Sequence, residues 1–137
     1  AKLGLDLFGG PRGKRIPGSQ DAHPCHPTNG KINALRDYRF HLTIENCKVD
    51  YEFTEKLIDC LLAGCVPIYY GCPSIGKFFD IRGFLIIDNP EDIERALARL
   101  TSDLYHEMLP YVRANFATAQ RYASFNIPEE PILELLN

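Results

Sequence analysis

Apolar residues change their spacing several times along this chain, and each change marks an element. Tyr38–Glu45 alternates aromatic or aliphatic residues with others, the two-residue period of a strand. Further on the period lengthens: Leu57, Ile58, Leu61, Leu62 and Cys65 recur at three- and four-residue spacing, which predicts a helix over Glu55–Ala63 with one face on a sheet. Thr54 is placed to cap its start, because a Thr oxygen can accept from the first unpaired N–H groups, and Gly64 to cap its end. Val66–Tyr70 is an unbroken apolar run rich in β-formers, as expected of a parallel strand buried on both faces. Gly71-Cys72-Pro73-Ser74 then turns the chain.

The flanks carry weaker patterns. Leu3–Phe8 reads as a short strand closed by Gly9-Gly10-Pro11, and Arg12–Asn29 has no period and reads as a long loop. Lys31–Asp37 suits one or two helical turns and Ile75–Phe79 a short helix. Gly83–Asp88 is another apolar strand, Phe84-Leu85-Ile86-Ile87. Asp88 or Asn89 caps the next helix, with Pro90 at its first position and Glu91 and Asp92 in its first turn, where the helix dipole favours acids. That helix runs to about Leu100 with Ile93, Leu97 and Leu100 inward. Another spans Ser102 or Asp103 to about Ala123, and Pro128–Leu136 is a last helix or strap. Strands alternating with helices predict an α/β fold: a Rossmann-like, mostly parallel sheet with helices on both faces. Ligands of such sheets bind beyond the carboxyl ends of the strands, where Glu45-Asn46, Gly71–Ser74, Asp88-Asn89 and the start of the Glu55 helix converge.

Composition narrows the classes. The 137 residues make one domain's worth of chain, read as a single unit over residues 1–137. The chain begins at Ala1 and its only methionine is Met108, so the expectation is a piece of a longer protein. A net charge of −3 argues against general nucleic-acid binding, and no apolar run approaches a membrane span. Five scattered cysteines, Cys25, Cys47, Cys60, Cys65 and Cys72, fit free thiols in a reducing compartment. His23-Pro24-Cys25-His26 is a poor zinc site, because so few residues rarely reach one ion and no matching cluster follows. Walker and dinucleotide glycine loops are missing, and Asp6, Asp37 and Asp88 form no close acidic pair for Mg²⁺ or Mn²⁺.

The candidate chemistry is therefore an anion site at a helix N-terminus, where free N–H groups and the dipole point outward. Glu55 either compensates the dipole or accepts from a ribose diol. Lys56, slightly disfavoured by the dipole, is either a surface lysine or a partner of diphosphate oxygens. Asn46 is turn chemistry or a ligand contact. Glu45 is a base or a structural acceptor that needs a buried partner, such as Arg39 or backbone N–H groups. Tyr51 and Phe53 either stack on a ligand or pack the loop.

Tyr38-Arg39-Phe40, Glu45-Asn46, Tyr51, Thr54-Glu55-Lys56-Leu57, Val66-Pro67, Gly71 and Pro73 together resemble the donor-binding half of the α-1,3-fucosyltransferases, glycosyltransferase family 10. The likeness is close over Tyr38–Phe79 and looser over Lys31–Asp88. It implies the C-terminal, Rossmann-like half of a two-domain GT-B enzyme that binds GDP-fucose and transfers fucose with inversion to an acceptor glycan hydroxyl, without a metal cofactor. By motif position it implies donor contacts from Asn46, Glu55 and Lys56, with Tyr51, Glu45 and Gly71 alongside. The acceptor and the general base would belong to a missing N-terminal domain, leaving this segment alone inactive. The implied location is the cytoplasm for a bacterial or viral protein and the Golgi lumen for a eukaryotic type II membrane enzyme. Many members carry Tyr three residues before the motif Glu, where this chain has Glu52. Two other readings stay open: a transferase using another nucleotide sugar, and a non-enzymatic interaction module with the same fold.

Overall fold

In the computed structural model, residues 8–9, 23–24 and 30–123 are described. Two short strands, β1 (Phe8–Gly9) and β2 (His23–Pro24), pair in parallel. Helix α1 (Gly30–Leu35) leads to β3 (Phe40–Ile44), α2 (Glu55–Leu62) and β4 (Val66–Tyr70). Two single 3₁₀ turns, Ile75–Lys77 and Ile81–Gly83, precede β5 (Leu85–Ile86), and α3 (Pro90–Ala98) and α4 (Ser102–Ala123) follow. The sheet β3-β4-β5 is parallel throughout, with Leu42 opposite Ile68 and Ile68 opposite Leu85. This is the expected Rossmann-like α/β arrangement.

Alternation in β4 and around β5 builds both cores. Tyr69 and Phe84 point to one face, where Leu57, Ile58 and Leu61 of α2 and Ala119 of α4 cover them. Val66, Ile68, Leu85 and Ile87 point to the other, beneath Ala96 of α3 and Met108 and Val112 of α4. Ile93, Leu97 and Leu100 pack there as their spacing predicts. A proline in a central strand normally leaves a gap in the ladder. Pro67 avoids this because β4 pairs with β5 only from Ile68 onward, and the Pro67 nitrogen faces that side.

Caps follow the sequence closely. The Thr54 side chain accepts from the Lys56 N–H and Gly64 adopts φ +75°. Asn89 and Asp92 exchange side-chain-to-backbone bonds in a capping box, with Pro90 in the first turn. The strand expected over Gly83–Asp88 is shorter, because Asp80 caps a 3₁₀ turn through the Arg82 N–H and delays extension until Leu85. Ile75–Phe79 is likewise a single 3₁₀ turn, Ile75–Lys77. Backbone at His23–Pro24 forms a strand inside the segment expected to be loop. The predicted strand at residues 3–7, the His-Cys cluster's Cys25 and His26, and the helix or strap at 128–136 lie outside the described residues.

Candidate functional site

All three strands of the main sheet end on one edge, and the loop after β3 returns the chain to start α2 there. Glu45 follows β3 directly, its N–H donating to the Tyr70 carbonyl at 2.8 Å. Its side chain turns inward and is only 4% exposed. Both carboxylate oxygens meet Thr54: one accepts the Thr54 N–H at 2.9 Å, the other the Thr54 hydroxyl at 2.6 Å. Sequence reasoning asked for a buried partner and named Arg39 or backbone N–H groups; the partner is one residue, which supplies an N–H and a hydroxyl together.

Glu55 and Lys56 stand on the first turn of α2. Their charged ends are 3.9 Å apart, with the Glu55 side chain 59% and the Lys56 side chain 30% exposed. In that geometry the pair contributes little to stability and leaves both groups available to a ligand. Asn46 is exposed on the adjoining loop. Tyr51, 61% exposed, adopts φ 61°, a conformation uncommon outside glycine. Its N–H donates to the Ser74 hydroxyl at 2.9 Å and its phenol oxygen accepts from the Lys77 ammonium at 2.7 Å, so the loop is fastened to the turn after β4. Phe53 packs among Phe78, Phe79 and Tyr122.

A cleft of about 480 Å³ opens at the ends of β4 and β5. Gly71, Cys72, Ser74, Lys77, Lys48 and Asp88 are among its walls. Gly71 is the candidate residue that lines it; Glu45 packs behind Gly71, Tyr51 is bonded to the lining residues Ser74 and Lys77, and Asn46, Glu55 and Lys56 are not in the lining. Lys48 and Lys77 had escaped sequence reasoning, since single lysines in loops carry no pattern. Lys48 donates to Asp88 at 2.6 Å and lies 4.9 Å from the centre of the Tyr70 ring, and Asp88 holds its ammonium above the usual lysine range. In the cleft's lining, the Tyr69 phenol accepts from the Cys72 N–H at 3.1 Å, and burial pushes its pKa up to about 12. The described cysteines are unbridged: Cys47 is exposed, and Cys60, Cys65 and Cys72 are buried. No described helix is long and apolar enough to cross a membrane.

The sequence profile of the glycosyltransferase family 10 (fucosyltransferase) C-terminal region matches residues 3–121. The chain belongs to that family. Similar proteins include GDP-fucose protein O-fucosyltransferase 3 of Bos taurus, 32% identical over 116 residues that make up 83% of this chain and 22% of that protein. An α-(1,3)-fucosyltransferase of Helicobacter pylori is 33% identical over 67 residues, 49% of this chain and 14% of that one. Among solved structures, an α1,3-fucosyltransferase with GDP-fucose superposes with a TM-score of 0.53 at 29% identity, over 60% of this chain and 26% of that one. The family 10 match thus agrees with the resemblance carried by residues 38–79, while the chain spans only about a quarter or less of these relatives.

Proposed function

We propose that this chain is the donor-binding part of an inverting fucosyltransferase that uses GDP-fucose. The observation that carries the reading is the pair of exposed Glu55 and half-buried Lys56 on the first turn of α2, set at the carboxyl edge of the parallel sheet. The family match and the likeness to a structure holding GDP-fucose support the choice of donor. In this reading Glu55 accepts from the ribose hydroxyls. Lys56 and the positive end of the α2 dipole take the diphosphate and stabilise it as the bond to the sugar breaks and charge collects on the leaving group. Asn46 and Tyr51 border the donor, and Gly71 lets it approach the backbone after β4. No metal is assigned a part, because Lys56 and the helix supply the positive potential. An acceptor hydroxyl attacks the anomeric carbon from the opposite side, deprotonated by a base contributed outside this segment.

Calorimetric titration of the full chain with GDP, GDP-fucose and UDP tests the proposal. GDP and GDP-fucose are expected to bind and UDP to bind more weakly, with Lys56→Ala lowering GDP affinity by about tenfold, or ~1.4 kcal/mol. Tighter binding of UDP overturns the assignment of the donor, and unchanged GDP affinity in Lys56→Ala overturns the assignment of the site.

A further inference from the structure

We propose that Glu45 is a positioning residue for diphosphate recognition, acting through Thr54; the inference rests on the reading of the α2 first turn given above. Among the described residues, the buried polar side chains are Thr43, Glu45 and Asn115, so Glu45 is the one carboxylate in that set. Burying a carboxylate is costly unless donors surround it. Here both donors come from the residue that caps α2. The Thr54 hydroxyl has one proton, and Glu45 takes it at 2.6 Å. The hydroxyl lone pairs are then left to accept the Lys56 N–H at 3.3 Å. A relay therefore runs from the end of β3, through carboxylate and hydroxyl, to the backbone of the residue assigned to the diphosphate.

Two further observations place Glu45 as a brace rather than a ligand. Its backbone is pinned to β4 by the bond to the Tyr70 carbonyl. Its stem is held from behind by Gly71, where an added Cβ would stand 2.6 Å from the Glu45 Cγ. With both oxygens committed to Thr54 and the side chain buried, the carboxylate turns no oxygen toward an incoming diphosphate. What it does is fix how the α2 first turn sits on the sheet edge, after a loop of otherwise exposed residues from Asn46 to Glu52. Bonds to an ionised acceptor are shorter and stronger than neutral ones, so a charged brace holds that turn more tightly than an amide would.

The test compares Glu45→Gln, Thr54→Val and the double variant in the full chain, with guanosine and GDP as calorimetric probes and circular dichroism to establish that each variant is folded. Glu45→Gln keeps the shape but turns one acceptor into a donor facing the Thr54 oxygen. Each single variant is expected to weaken GDP about tenfold while guanosine, which has no phosphate, stays within about twofold. The double variant should bind GDP no worse than the weaker single variant, because both cut the same relay. Thr54→Ser, which keeps the N–H and the hydroxyl, should stay within about threefold of the native protein. Should Glu45→Gln fail to fold, Thr54→Val against Thr54→Ser carries the same comparison. Additive losses in the double variant would mean that Glu45 touches the ligand itself, and equal losses for guanosine and GDP would mean a purely structural role; either overturns the inference. Unchanged GDP affinity in Glu45→Gln, with Lys56→Ala still impaired, overturns it while leaving the diphosphate site standing. If Lys56→Ala is itself silent, the underlying reading fails and this one with it.

Discussion

Gly71 shows how little room a single position can have. Its conformation is ordinary for any residue, so its role is one of space: a Cβ would lie 2.5 Å from the Tyr69 hydroxyl oxygen and 2.6 Å from the Glu45 Cγ. Both neighbours are buried and hydrogen-bonded, so neither can step aside cheaply. Gly71→Ala should therefore cost about 1–3 kcal/mol, measured by urea denaturation. Tyr69 makes a second prediction. Its folded pKa of about 12 is raised chiefly by burial, above the usual value near 10 for an unfolded tyrosine. The neutral form is thus favoured in the fold. The associated stability is complete below about pH 10 and is lost as pH rises toward about 12, because only the unfolded chain ionises readily in that window. Denaturation midpoints should fall across that interval, and Tyr69→Phe should flatten that part of the profile while lowering stability at neutral pH through the unpaired Cys72 N–H. A slope that survives the substitution would trace the effect to other groups.

At the scale of elements, helix starts are where the local code is most legible. Thr54 announces α2, and Asp88 or Asn89 announces α3, through the chemistry of capping; Thr54 and Asn89 are the residues that cap. Asn89→Ala removes one half of a reciprocal box and should lower stability by about 1 kcal/mol, read from the shift in denaturation midpoint at unchanged slope. Strand ends are less legible. The run Phe84-Leu85-Ile86-Ile87 looks like four strand residues, yet pairing covers only Leu85 and Ile86. The competing influence is the Asp80 carboxylate, which caps a 3₁₀ turn and also binds Arg82 at 2.6 Å. In α4 the helix passes through Pro110, which removes one intrahelical bond. Burial of Met108 and Val112 on either side of it holds the helix on the sheet.

For the molecule as a whole, the testable property is how its edge handles a nucleotide. If Lys56 and the α2 dipole supply the positive potential, GDP affinity should be unchanged by exhaustive chelation with EDTA. It should also fall as salt is raised, since exposed charges are screened within about 10 Å at 0.1 M. A loss of binding on chelation that Mg²⁺ restores would assign that potential to a metal instead. Both outcomes are read in one titration series on the full chain.

The order of strand and helix, the caps of α2 and α3, the buried β4 run and the family motif between Tyr38 and Phe79 are all written in local spacing, because propensity, capping and amphipathic period act over a few neighbours. Three-dimensional packing alone decided the rest. Glu45 and Thr54 lie nine positions apart, yet they meet because the chain leaves β3 and comes back to the same sheet edge. Tyr51 reaches Lys77 and Lys48 reaches Asp88 by the same return of parallel strands to one side. Such pairings depend on which strand ends lie next to each other, and no period along a chain encodes that.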